Sequence, residues 1–270
     1  MSKTPTKFQK ITLLLSTLKT DRKEFFDRIR HIVEVKADSI IHRPYKYDFV
    51  ETYDTAIEEI LRGMHLSTQL QLSYENDLIK FERGVKKDLL ALKDKVPFRI
   101  SHSADFAMAR LCYLVCRAHP PDVVVETGVA FGVTSAFILK ALSKNNRGTL
   151  FSIDLPPLGQ KSDEYVGILI PNKLRDRWRL LRGTSRQILP HLVEDISPVN
   201  MFIHDSLHTY WHMLWEFNTI TPSLDSKGII ISDDISENRA FQTWIDKTLP
   251  TTHKAIRKIG NDGLVGFAQI

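Results

Sequence analysis

The stretch VVVETGVAFGVTSAFIL, Val123–Leu139, decides how this chain is read. An uninterrupted apolar run ends in Glu126 and passes through a Gly-x-Ala-x-Gly turn, Gly128 to Gly132, into an amphipathic segment. The pattern is strand, turn, helix. Gly128 and Gly132 let backbone approach a ligand closely, and the first helical turn offers unpaired N–H groups. A ligand pocket is therefore expected at the carboxyl edge of an α/β sheet. The dinucleotide fingerprint G-x-G-x-x-G would need glycines at 128, 130 and 133, where the chain has Gly128, Ala130 and Val133. A nicotinamide cofactor is disfavoured.

Working outward, a helix over Thr134–Leu142 leads to GTLFSID, a strand ending in Asp154, 28 residues after Glu126. An acid there is placed to accept hydrogen bonds from two ribose hydroxyls. RWRLLRGTSRQILPHL gives a third strand, a turn at Gly183, and a helix start with Thr184 or Ser185 as N-cap. Two more apolar strands follow, NMFIHD ending in Asp205 and KGIIISDD ending in Asp233 and Asp234. Adjacent parallel strands present their carboxyl ends on one edge, so these three acids are expected to converge. Close carboxylates repel in a partly dry site. A hard divalent ion with oxygen ligands, Mg²⁺ or similar, would resolve the conflict.

On these residues the chain resembles the class I S-adenosylmethionine-dependent methyltransferases. E-T-G-V-A-F-G is similar to their motif I, and D-S-L-H-T-Y with S-D-D resembles the metal-dependent O-methyltransferases of the catechol and caffeoyl-coenzyme A type and the macrocin O-methyltransferase and cephalosporin-hydroxylase-like group. The resemblance covers roughly residues 104 to 270. It implies an α/β, Rossmann-like, seven-stranded, mostly parallel sheet closed by an antiparallel C-terminal hairpin. The apolar runs HKAIRKI and GLVGFAQI, around the Gly260-Asn261-Asp262-Gly263 turn, suit that hairpin. Implied cofactor contacts are Glu126, Gly128, Ala130, Gly132, Thr134, Ser135, Asp154, Gly183, Thr184, Ser185 and Asp205, and the implied metal ligands are Asp205, Asp233 and Asp234.

Two departures stand out. Asp234 replaces the Asn of the catechol-type enzymes. His208 stands where they carry a Lys general base, three residues after Asp205. A histidine is a natural base near neutral pH. The expected reaction is metal-assisted O-methylation of a sugar, phenol or natural-product hydroxyl, with His208 and Asp205 as catalytic residues and His208 alternatively a supporting or capping side chain. His204 is expected on the opposite strand face, packed under a helix. His212, four residues after His208, has zinc-ligand spacing but no accompanying thiol or H-E-x-x-H glutamate. Trp211 and Trp215 are most simply core or pocket wall.

Residues 1–100 differ in character and form a helical extension, with 101–270 as the methyltransferase domain. Helical periodicity over Ile11–Val35, Phe49–Gly63 and Asp77–Leu92 suggests a lid, a homodimer contact or a plain structural cap. A further helix is expected over Ser103–Ala118, capped at Ser101 or Ser103. Its Cys112 and Cys116 suit buried free thiols and a cytoplasmic protein. The Pro/Gly-marked loop Leu155–Pro171 is a candidate substrate lid. With 270 residues, 43% of them hydrophobic, a sizeable α/β core is affordable, and no apolar run is long enough to span a bilayer. A net charge of +5 does not by itself indicate nucleic-acid binding. Base methylation would call for Asp/Asn-Pro-Pro-aromatic where the chain reads Asp205-Ser206-Leu207-His208, and no basic stripe interleaved with aromatics accompanies it. A non-catalytic scaffold keeping the fold is the other alternative, and a hydroxylase lacks its two-His-one-carboxylate triad.

Overall fold

A computed structural model describes residues 7–93, 95–96, 105–159 and 162–270. Five strands run parallel: β1 (Val123–Thr127), β2 (Thr149–Asp154), β3 (Trp178–Arg182), β4 (Val199–His204) and β5 (Leu224–Ser232). The chain then doubles back in β6 (Thr252–Arg257) and β7 (Leu264–Gln269). The sheet order is β3-β2-β1-β4-β5-β7-β6, with β7 antiparallel to both β5 and β6. This is the expected seven-stranded α/β sheet with its C-terminal hairpin.

Strand alternation divides the core into two layers. Val124, Met201, Ile203, Ile229 and Ile231 point to one face, while Val125, Phe202, Ile230 and Ile153 point to the other. The first face is covered by α3 (Tyr53–Gly63), α4 (Thr68–Ala91), α5 (Phe106–Ala118) and α6 (Val133–Asn145). Rings of Phe81 and Phe106 meet Phe137 edge-on at 5.5 and 5.8 Å, and the first of these contacts joins the extension to the sheet domain. The second face is covered by α7 (Ser185–Ile196), α8 (Tyr210–Ile220) and α9 (Ala240–Thr248), where Phe217, Phe241 and Trp244 pack as a buried aromatic trio. Cys112 and Cys116 are buried free thiols. The outer edge of β6 is shielded by a backbone bridge: Glu51 N–H donates to the Ala255 carbonyl and Arg257 N–H to that of Glu51, each at 2.9 Å.

The extension departs from the sequence reading in its boundaries. The single helix expected over Ile11–Val35 is two, α1 (Lys7–Thr20) and α2 (Arg22–Ile41). Asp21 separates them because its carboxylate caps the second, accepting from Glu24 N–H at 2.9 Å. Helix α4 starts at Thr68 rather than Asp77, because Ser67 caps it. The caps expected at Ser101 and Ser103 lie outside the described residues, and the helix is capped by Asp105 instead. Among the described residues no helix is long and apolar enough to cross a membrane.

Truncating the fully buried Phe217 to Ala should cost about 3–5 kcal/mol. Urea unfolding followed by circular dichroism would register this as a lower midpoint with an unchanged slope.

Candidate active site

Four backbone hydrogen bonds continue the parallel ladder one step past the strand ends. Gly183 N–H donates to Asp154, Gly128 N–H to Ile153, Asp205 N–H to Thr127 and Asp233 N–H to His204, each at 2.9 Å. They fix the carboxyl-edge turns against one another. At Gly128, φ is +83° and an added Cβ would lie 1.9 Å from the Asp205 carbonyl oxygen, so only glycine lets the β4 turn cross this close. Ala130 (φ 47°) and Asp234 (φ 48°) are left-handed without being glycine, a strain that tends to collect at functional sites.

The turns enclose a cleft of about 280 Å³ lined by Gly128–Ala130, Asp154–Pro157, Gly183–Ser185, Asp205–Leu207 and His212, with His31 of α2 on its outer wall. Asp154 accepts from Val129 N–H at 3.2 Å, and burial pushes its carboxyl up to about 6. Of the residues expected at a cofactor, Gly128, Ala130, Asp154, Gly183, Thr184, Ser185 and Asp205 line this cleft. Glu126, Gly132, Thr134 and Ser135 do not. Glu126 is fully buried behind the turn, accepting from Ser135 and Ser152 hydroxyls at 2.7 Å, and desolvation raises it to about 7. Gly132 packs on Gly167 and Ile170, which continue the Leu155–Pro171 segment beneath the helix start.

Beside this cleft lies a second pocket of about 470 Å³, formed by the end of α2, the Arg43-Pro44 turn, Glu237 and Ser206–Thr209. Ser206 and Leu207 belong to both pockets, and His208 stands on the wall of the second. Its Nε2 is 3.8 Å from Asp205 and its Nδ1 is 3.4 Å from Asp234. Burial, and then the His204 ring, bring His208 down to about 3, so the imidazole is neutral near pH 7 and holds any proton it takes only weakly.

Behind these residues, Glu216 is fully buried and holds His204 Nδ1 at 2.6 Å and His212 Nε2 at 2.9 Å, while accepting from Thr127 and Ser206 hydroxyls. The two histidines hold its carboxyl well below the usual range against the cost of burial. His204 is therefore packed under a helix, as its strand position suggested, and His212 walls the cleft, with Nε2 also 3.0 Å from Ser185 Oγ.

The acids after β4 and β5 meet on one edge, but not as three carboxylates around a gap. Lys258, at the end of β6, puts its ammonium 2.7 Å from Asp233 and 2.6 Å from Asp234. One donor atom each of Asp205, His208 and Asp233 lies within 4.8 Å of the others, whereas Asp234 is turned to Lys258 and His208. A dication held by Asp233 would stand about 4 Å from that ammonium, and at an effective dielectric of about 20 the repulsion is about 8 kcal/mol. The three expected carboxylates are thus not arranged around one point: Asp234 faces Lys258, and the donor atoms that do converge are those of Asp205, His208 and Asp233, with the Lys258 ammonium opposing a dication there.

Several site residues had weak sequence signals. His31 lies on a stripe of α2, Glu24, Asp27, Arg28, His31, Glu34 and Asp38, spaced three and four apart and turned toward the cleft. Glu24 pairs with Arg182 at 2.7 Å, Arg28 donates to the Pro156 carbonyl at 2.8 Å, Asp27 accepts from Thr184 at 2.9 Å, and Asp38 caps Tyr210 N–H at 2.8 Å. That polar stripe was the available signal. Lys258 had none.

The sheet order and the C-terminal hairpin define the class I methyltransferase fold. Residues 125–235 match a family model described as a methyltransferase domain. Among solved structures, an O-methyltransferase from Bacillus cereus in complex with SAH is similar at 14% identity and a TM-score of 0.57, over 75% of this chain and 98% of that one. The O-methyltransferase TomG from Streptomyces achromogenes, involved in tomaymycin synthesis and bound to SAM, is similar at 15% identity and a TM-score of 0.55, over 74% and 94%. An SAH-bound methyltransferase from Podospora anserina is similar at 11% identity and a TM-score of 0.54, over 69% and 88%. No curated protein sequence matches the chain.

Gly128→Ala should destabilise by more than about 2 kcal/mol, because the new methyl collides with backbone that cannot withdraw without opening the β1–β4 edge. Thermal melts would report it. Glu216→Gln should cost about 3–5 kcal/mol at neutral pH. Because this carboxyl titrates lower in the folded state, the wild-type advantage is present above its unfolded value of 4.5 and fades as the pH falls below it.

Proposed function

We propose that this protein is an S-adenosylmethionine-dependent methyltransferase acting on a hydroxyl of a small polar molecule. The observation that carries the reading is the pair of adjoining pockets, one built on the Gly128 turn and Asp154, the other on His208, joined at Ser206 and Leu207. The first suits a nucleoside. Asp154 stands at the end of β2 to accept from ribose hydroxyls, and His212, 1% exposed on the wall, has an Nδ1 with no hydrogen-bond partner among the described residues. The second pocket offers Asp38, Ser39, Arg43, Thr209 and Glu237, a lining suited to a polyhydroxylated acceptor.

When bound, S-adenosylmethionine supplies a methyl group on a positive sulfonium. The chain's own residues position and deprotonate. Asp205 borders the first pocket and His208 the second, so the acceptor oxygen would be presented where the pockets join. His208 takes the hydroxyl proton or relays it, and the Asp234 carboxylate, 3.4 Å from its Nδ1, stabilises the imidazolium while it lasts. Residues of α2 shield the first pocket from water through His31 and the Arg28 contact to Pro156. Supporting the O-methyl reading are the named activities of the Bacillus and Streptomyces structures. Against base methylation stands the Asp205–His208 sequence, and against a bare scaffold stands the presence of a buried histidine between acids.

Calorimetry should detect S-adenosylmethionine binding to the wild type and none to Asp154→Ala. Affinity should hold above about pH 6 and weaken below it, because protonated Asp154 loses its charge and an acceptor for the ribose hydroxyls. A folded wild type that binds no cofactor at neutral pH would end this reading.

A further inference from the structure

We propose that Lys258 is the resident cation of this site. Its ammonium takes the place at the β4–β5 edge that a divalent ion fills in metal-dependent O-methyltransferases, so the protein binds no divalent ion at Asp205, Asp233 and Asp234. The carboxyl ends of parallel strands oblige these acids to meet, and their repulsion is relieved either by protonation or by a positive charge facing them. Here it comes from the antiparallel hairpin. Lys258 follows β6, its side chain is only 7% exposed, and both acids of the β5 turn lie within ion-pair distance, at 2.7 and 2.6 Å. The left-handed backbone of Asp234 belongs to the same turn.

The hairpin is shaped around this side chain. Lys258 N–H donates to the Gly263 carbonyl at 2.9 Å, and Gly263 N–H donates to Asn261 Oδ1 at 2.8 Å. A Cβ at Gly263 would come within 2.9 Å of Lys258 Cδ and 3.3 Å of Cε, so glycine there makes room for the lysine stem. Other groups around the ammonium are His208, 3.4 Å from Asp234, and Glu237, whose carboxyl is raised by burial and then by Asp234. One lysine against Asp205, Asp233 and Asp234 leaves the edge negative, the sign that suits a sulfonium donor.

Lys258 is a positioning residue. It reaches the reacting atoms through Asp234, which lies against His208, and with Asp233 presents a fixed field to the acceptor. Resting on the methyltransferase reading above, the transfer balances without a metal. The acceptor O–H proton goes to His208, the new C–O bond forms as the C–S bond breaks, and the sulfonium leaves as a neutral thioether.

The test is a Mn²⁺ titration of the full chain, with free Mn²⁺ followed by electron paramagnetic resonance. Wild type should bind none at up to about 1 mM, a range in which oxygen-ligand sites of comparable charge fill. Lys258→Met, and Lys258→Met/Asp234→Asn as a charge-balanced variant should the first fail to fold, should each bind Mn²⁺ at least about tenfold more tightly than wild type, because the repelling ammonium is gone. A purely structural lysine would not uncover a metal site. Micromolar Mn²⁺ binding by the wild type would overturn the proposal, as would a variant with an intact melting transition that binds no better than wild type. If neither variant folds, the wild-type titration decides. S-adenosylmethionine calorimetry in EDTA, run in parallel, separates this outcome from failure of the methyltransferase reading, since loss of cofactor binding bears only on the latter.

Discussion

The parallel register of β2, β1, β4 and β5 is the constraint from which the site follows. Thr127 is level with Ile153 on one side and with His204 on the other, and His204 is level with Ser232. Each strand's next residue is then tied by its N–H to the neighbouring strand end. The Gly128 turn, Asp154, Asp205 and Asp233 arrive at one edge because backbone hydrogen bonding leaves them nowhere else to go. The cost of that convergence is crowding. It is met sterically by a glycine at 128 and electrostatically by buried counter-charges.

Those counter-charges come from the protein itself. Glu216, unable to reach water, is surrounded by His204, His212 and two hydroxyls. Asp233 and Asp234 are gathered by Lys258. The two clusters share a boundary at His204 and His208, whose rings lie 5.4 Å apart, so the orientation of the proposed base is set by what neutralises the acids on either side of it. Burial of unpaired charge is expensive, and a network in which each ion has a partner is rigid for that reason.

Helix α2 inverts the usual logic of a surface helix. Its polar stripe faces the cleft, through Glu24, Asp27, Arg28, His31, Glu34 and Asp38, while Phe26, Val33, Ile40 and Ile41 face outward. Contacts to the cleft rim are ion pairs and hydrogen bonds to Arg182, Pro156, Thr184, Thr209 and Tyr210. Bonds of this kind direct and align more than they bind, so the helix closes the pocket by register rather than by hydrophobic adhesion.

The amino-acid sequence by itself determined the sheet, because apolar runs ending in acids, the Gly128 turn and the Gly260–Gly263 turn are local patterns with local physical causes. It also placed Asp154, Gly183–Ser185, Asp205 and His208 at the pocket edge, since a strand end carries its next residue with it. It could not distinguish Glu126, Thr134 and Ser135, which sit beside the turn but point behind it, nor find the break at Asp21, whose capping role depends on where the chain bends. The partnership of Lys258 with Asp233 and Asp234 was decided only by tertiary structure. Those residues are 24 or more positions apart in the chain and belong to strands that meet only after β7 has been inserted between β5 and β6. Whether converging acids are left for an ion or answered by a lysine is a matter of which distant side chain the folded sheet brings to them, and no local pattern encodes that.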